Sequence, residues 1–162
     1  MAMPACSPVH DLVAALRRLD ADEVLDRLVR SAAALAGTGC AGLVEVDALR
    51  ECAWPVRVQA PPGDPLRVRA WLAESVTLKV LAGAEGGVRL PYEPEFGEPG
   101  FLAVPVPMAT RGQAYLWAAG RAFDDGDEHL LGRLATAGGR ALEAARGLEA
   151  AVRMLRGVQA FR

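Results

Sequence analysis

Gly100-Phe-Leu-Ala-Val-Pro-Val-Pro-Met108, Gln113-Ala-Tyr-Leu-Trp-Ala-Ala119 and Phe123-Asp-Asp-Gly-Asp-Glu-His-Leu-Leu131 follow one another in the last third of the 162-residue chain. The first two are short and apolar, and the polar turn Ala109-Thr-Arg-Gly-Gln113 lies between them, as in an antiparallel hairpin. Pro105 and Pro107 each lack a ladder donor, which predicts that the first strand is an edge, carries a bulge, or ends near Val104. The third stretch opens a helix. Asp125 and Glu128 predict a capping box, and Asp124 and Asp127 add negative charge where the helix dipole favours it.

From Asp125 to Arg156 the chain reads as one helix, about 48 Å long at the usual rise per residue. A compact domain of this size has a radius of gyration near ~15 Å, so the helix is expected to overhang its own domain. Leu131, Gly138, Ala145 and Val152 recur every seven residues, and so do Leu134, Ala141, Leu148 and Leu155. Arg133, Arg140, Arg146 and Arg153 fall off this seam. Such a seam predicts a helical partner, and its small middle would let that partner approach closely.

Upstream, residues 1–7 are expected to be disordered. Ser7-Pro8 then reads as an N-cap with proline at the first helical position, opening a helix through Leu12, Leu16 and Leu19. Asp20 and Glu23 predict a capping box for a second helix with Val24, Leu25, Leu28, Val29, Ala32 and Leu35 on one stripe. Gly37 and Gly39 end it. Cys40–Val46 and the alternating Trp54, Val56 and Val58 read as a second hairpin. Asp64-Pro65 predicts a third helix carrying Leu66, Trp71, Leu72, Val76 and Val80. The Gly-, Pro- and Glu-rich stretch from Ala82 to Gly100 reads as a loop with one short strand at Val88-Arg-Leu90.

A hydrophobic fraction of 52% with 23% charged residues suits one globular domain, assigned to residues 8–156 with a tail at 157–162. A formal charge of −2 offers no general attraction to nucleic acid or to an anionic membrane. The 18 basic residues are all arginine except Lys79, and they form no cluster. With no apolar run of membrane-spanning length and no signal peptide at the start, a cytoplasmic protein is expected. Cys6, Cys40 and Cys52 make neither a metal spacing nor an even disulfide framework. A turn centred near Ala48-Leu49 would set Cys40 opposite about Arg57 and Cys52 opposite about Glu45, which predicts free thiols.

The order helix, helix, hairpin, helix, loop, hairpin, long helix from Pro8 to Arg156 resembles a GAF domain. The local matches are Cys40–Val46, Phe101–Pro107 followed by Arg111-Gly112, and Phe123-Asp-Asp through Ala141-Leu-Glu143. The resemblance implies an α+β fold related to PAS domains. It has a central antiparallel sheet with terminal helices on one face, and a pocket helix and loops over a small-molecule site on the other. It also implies which cofactors to look for, and their marks are missing from the sequence. Leu66–Gly100 has no cysteine or histidine for a bilin, and the histidines a haem would need are confined to His10 and His129. The asparagine of cyclic-nucleotide-binding members is missing, and the three cysteines do not match the cluster of the methionine sulfoxide reductases. Bilin, haem and cyclic nucleotide are therefore not expected, nor is a metal.

A pocket in such a fold would be lined by Trp71, Ser75, Tyr92, Phe101, Tyr115 and Trp117, aromatic walls with a few polar tips. The competing reading is that these aromatics fill the core, and Tyr92 is the one least explained by it. Glu85, Glu93, Glu95 and Glu98 read as a solvated face, and His129 as a helix-surface histidine without a nucleophile beside it. The expected role is a non-enzymatic sensor or regulatory module. It would bind a small molecule, homodimerise through Leu131, Leu134, Gly138, Ala141, Ala145, Leu148, Val152 and Leu155, and signal to a separate output protein. The alternatives are a structural adaptor or dimerisation domain with a filled pocket and, third, a thiol redox enzyme.

Overall fold

A computed structural model describes residues 20–109 and 112–159. The helix expected from Ser7 to Leu19, with Cys6 and His10, lies outside the described residues, as do Thr110 and Arg111. The elements are α1 (Ala21–Ala36), β1 (Cys40–Asp47), β2 (Cys52–Gln59), α2 (Val68–Glu74), α3 (Thr77–Gly83) and β3 (Val88–Glu93). A 3-10 turn (Pro94–Phe96), β4 (Glu98–Val106), β5 (Gln113–Ala119) and α4 (Asp125–Gln159) complete the order. The strands form one five-stranded sheet in the order β2-β1-β5-β4-β3, and every pairing is antiparallel.

The three central strands are apolar almost throughout because both their faces are covered. Leu43, Leu102, Val104, Leu116 and Ala118 point to the α1 and α4 side. Cys40, Val44, Phe101, Ala103, Tyr115 and Trp117 point to the α2 and α3 side. Each edge strand carries a proline, Pro55 in β2 and Pro91 in β3, which denies a donor to any further strand. The protein is thus α+β, with the long helices on one face of the sheet and two short helices on the other.

Several local expectations shift. The strand with Pro105 is no edge, since β4 lies between β5 and β3. The β3 ladder stops at Val88 opposite Ala103, however, so Pro105, opposite Tyr115, sits where β4 has a neighbour on one side only. The predicted loop before Gly100 is mostly hairpin, because β3 extends to Glu93, which pairs with Glu98. The third helix is broken in two. Asp64 caps α2 from upstream, accepting from the amides of Val68 and Arg69 at 3.0 Å each. At the break, Ser75 Oγ shares a 2.7 Å hydrogen bond with Thr77 Oγ1 as α3 begins. Val68, Leu72, Thr77 and Leu81 are buried, while Leu66, Val76 and Val80 are exposed.

The β1–β2 register also differs. Cys52 faces Asp47 and Trp54 faces Glu45, with a bulge between Leu43 and Val44, and Cys40 faces Ala119 of β5. Both thiols are free. At α1, Asp20 caps the amide of Asp22 at 3.1 Å rather than that of Glu23, which pairs with Arg27 at 2.7 Å. Gly37 ends α1 in the left-handed region, with φ +74°.

The capping box of α4 lies one residue earlier than the sequence suggests. Asp127 N donates to Asp124 Oδ1 and Asp124 N to Asp127 Oδ2, each at 2.9 Å. That frees Asp125 and Glu128 to take the guanidinium of Arg89 from β3, at 2.9 and 2.8 Å.

α1 runs antiparallel to α4. Arg121 holds one end: its Nε donates to Ala36 O at 2.7 Å and its two terminal nitrogens grip Asp127, each at 2.9 Å. The guanidinium also lies over the Phe123 ring, 4.5 Å from its centre. At the other end, Ala21 N donates to Glu149. Between them, Leu28 presses on Gly138.

Arg121, backed by the Asp124 amide, holds the Asp127 carboxyl well below the usual carboxylate range. Arg121→Ala should therefore cost about 2 kcal/mol at neutral pH, within the range for hydrogen bonds to charged groups and discounted for partial exposure. A carboxylate with a depressed folded pKa stabilises the fold above its unfolded pKa, and the stabilisation fades as pH falls through the folded value. The difference between wild type and Arg121→Ala in urea unfolding should stay constant from about pH 7 to 5 and shrink below about pH 4.

Candidate functional site

The space between the sheet and α2–α3 holds most of the aromatic residues expected to line a pocket. Trp71 of α2 and Phe101 of β4 lie 5.4 Å apart at 50°, and Phe101 stacks on Trp117 of β5 at 5.6 Å and 28°. Phe101 and Trp117 are both 0% exposed, and Trp71 is half-buried. Tyr115 is buried two residues from Trp117 on the same face, and its hydroxyl donates to Ala84 O at 3.0 Å. Burial pushes its phenol up. Tyr115 thereby fastens the chain just after α3 to the sheet.

The structure does not bring Tyr92 into this group. It lies on the edge strand β3, 43% exposed, because the supposed loop is ladder. Ser75 ends α2, with its hydroxyl engaged by Thr77. Glu85, Glu93 and Glu95 are exposed, as is His129 on α4.

One feature of the site has no clear mark in the sequence. Gly42, in the middle of β1, lies directly beneath the indole of Trp117. A Cβ there would come to 2.5 Å from Trp117 Cζ2 and would also collide with Arg57 O. The bare backbone makes room for the largest side chain of the core. Trp117 Nε1 is buried and has no hydrogen-bond acceptor among the described residues. A buried donor so placed is a point where a hydrogen-bond acceptor would be favourably received. The only sequence signal was a glycine inside a strand, the mark of close approach.

Among the described residues, Cys40 and Cys52 make no redox pair. Cys40 is buried, and burial together with Asp64 pushes its thiol up, opposite to what a nucleophilic thiolate needs. Cys52 is exposed opposite Asp47, seven residues along β1 from Cys40, about 23 Å at strand rise. Among the described residues no three His, Cys, Asp or Glu side chains gather as metal ligands, and no helix is long and apolar enough to cross a membrane.

The predicted seam of α4 divides between two surroundings. Leu131 and Ala145 are buried within the chain's own fold, together with Ala135, Gly139 and Leu142. Gly138 lies under Leu28, and Gly139 against Val106 and Pro107. Gly138 of the seam thus admits α1, and its neighbour Gly139 admits the end of β4 of the same chain. Leu134, Leu148 and Val152 are half-buried, and Ala141 and Leu155 are exposed.

No protein-family model matches the sequence, and no curated protein matches it. Solved structures match the fold. GAF3 of Slr1393 from Synechocystis sp. PCC6803, in its photoproduct state, superposes with a TM-score of 0.60 at 13% identity, covering 80% of this chain and 98% of that one. The GAF domain/HD domain protein from Geobacter sulfurreducens gives 0.56 at 18% identity over 78% of this chain and 95% of that one. The GAF domain of a protein described as a sensor histidine kinase from Pseudomonas syringae pv. tomato gives 0.55 at 23% identity, covering 89% and 96%. With the same α+β architecture built up from its own residues, this chain has the GAF-domain fold.

Proposed function

We propose that the protein is a non-catalytic regulatory module. A small molecule entering between the sheet and α2–α3 biases the packing of α4, which pairs with a second copy and passes the change to a separate output protein. The observation that carries this reading is Trp117 Nε1, a buried donor without an acceptor among the described residues, placed between the sheet and two short helices. A ligand offering an acceptor atom and a flat apolar body would satisfy it, after displacing Trp71 and the break between α2 and α3. Only a ligand that binds one arrangement more tightly than the other can act as a signal.

A second reading has its own support. Phe101 and Trp117 are wholly buried and Tyr115 is tied to Ala84 O, as in a pocket closed by its own side chains. On that reading the domain is a structural adaptor.

A thermal-shift screen against a metabolite library separates the two. The regulatory reading expects at least one compound to raise the melting temperature of the wild type, with the response lost in Trp117→Phe, which keeps the ring and removes the donor. No shift with any compound favours the adaptor. A shift that survives unchanged in Trp117→Phe places the ligand elsewhere.

A further inference from the structure

Residues 84–89 touch the aromatic site at one end and the start of α4 at the other. The segment leaves the end of α3, where Leu81 is buried in one cluster with Trp117 and Phe101. Ala84 packs on that cluster, and its carbonyl accepts from the Tyr115 hydroxyl at 3.0 Å. As β3 begins, successive side chains alternate between the two faces of the sheet. Val88 and Leu90 pack on the Trp117 side. Arg89, opposite Leu102 in the ladder, goes to the other face and holds Asp125 and Glu128 in the first turn of α4, at 2.9 and 2.8 Å. Gly87 closes the contact: a Cβ there would fall on Glu128 Oε1, so the helix start lies against bare backbone.

The sheet itself is a poor route between its two faces. Its three central strands are each bonded to a neighbour on both sides and packed on both faces, and such an interior resists deformation. Residues 84–89 pass instead from one face to the edge strand β3, from which Arg89 reaches the other. Gly86 and Gly87 precede Arg89, and the backbone there can change direction at little steric cost. Both ion pairs of Arg89 are exposed, so its grip is weak enough to open. The Tyr115 bond is the more sheltered of the two anchors.

We infer that residues 84–89 are a strap that couples the Tyr115 end of the aromatic site to the first turn of α4, with Arg89 as the coupling residue. Held at Ala84, the strap keeps Arg89 on Asp125 and Glu128; freed there, it lets the helix start open. This rests on the reading of α4 as the output element and names the contact by which the site reaches it.

Native-state hydrogen exchange of the full chain, with no compound added, tests it at the amides of residues 128–131, the first of which donates from Glu128 N to Asp124 O at 3.1 Å. Tyr115→Phe removes only the hydroxyl and is expected to speed exchange at these amides about threefold to tenfold, the change that one net hydrogen bond carries. Arg89→Gln is expected to speed them as well. In the Arg89→Gln background, Tyr115→Phe should speed them no further, because the strap is already detached from α4. The slowest amides of the sheet report overall stability, and there Tyr115→Phe is expected to act equally in both backgrounds. Exchange at residues 128–131 that Tyr115→Phe leaves unmoved, or that it accelerates equally with and without Arg89, overturns the strap. The ligand screen plays no part in this experiment, so the strap and the ligand can fail separately.

Discussion

Trp117→Ala is expected to lower the free energy of unfolding by about 3–5 kcal/mol, the usual cost of removing a buried large aromatic. Trp117 is 0% exposed and stacks on Phe101, which in turn touches Trp71, so its loss opens a cavity under α2 and removes the ring contact with Phe101. Gly42 provides no side chain to fill the gap. Trp117→Phe should behave differently. The smaller ring loses packing, but the unpaired Nε1 disappears with it and returns about 1–3 kcal/mol, so the net change is expected within about 1 kcal/mol of wild type. Urea unfolding followed by far-UV circular dichroism measures both variants without relying on the fluorescence they alter. Equal, large losses in the two would mean that Nε1 is satisfied in the folded protein.

Gly138→Val is expected to cost about 2–3 kcal/mol through overpacking, while leaving the oligomeric state unchanged. A Cβ at Gly138 would fall on the isobutyl group of Leu28, reaching its Cδ1 and lying 2.7 Å from Cδ2. Leu28 is only 5% exposed, so its isobutyl group must repack among buried neighbours or α1 must shift from α4. The same helix contains its own control. Gly147 has open space where its Cβ would lie, and Gly147→Ala should stabilise by about 0.5–1 kcal/mol through helix propensity alone. Chemical denaturation of the two variants beside wild type checks both signs. A Gly138→Val protein as stable as wild type would contradict a close Leu28–Gly138 contact between α1 and α4.

Much of the fold was legible because its signals are local. The central strands are apolar on both faces, and the acidic start of α4 announces a helix whichever aspartate caps it. Other elements were hidden by residues that serve two purposes. Pro94 and Gly97, which make the tight turn between β3 and β4, are also the residues that make a stretch read as loop, so β3 was seen only as Val88–Leu90. Leu66, Leu72, Val76 and Val80 fit one helical stripe, and nothing in their spacing reports the break at Ser75.

The seam shows the limit most clearly. Leu134, Ala141, Leu148 and Leu155 belong to either of two apolar faces, and periodicity says that a face is apolar without saying which neighbour covers it. At the site, the aromatic residue types were visible in the sequence. The buried indole and the bare glycine beneath it come together only once β1 and β5 are side by side, with Gly42 opposite Trp117.

The most direct test of the account is the indole N–H signal of Trp117 in a 15N spectrum of the full chain, assigned by its loss in Trp117→Phe. The account predicts a signal protected from solvent exchange but upfield, as for a proton without an acceptor, that moves downfield when a compound from the thermal-shift screen is added. A signal already at a hydrogen-bonded position, and unmoved by every compound that stabilises the protein, would contradict it.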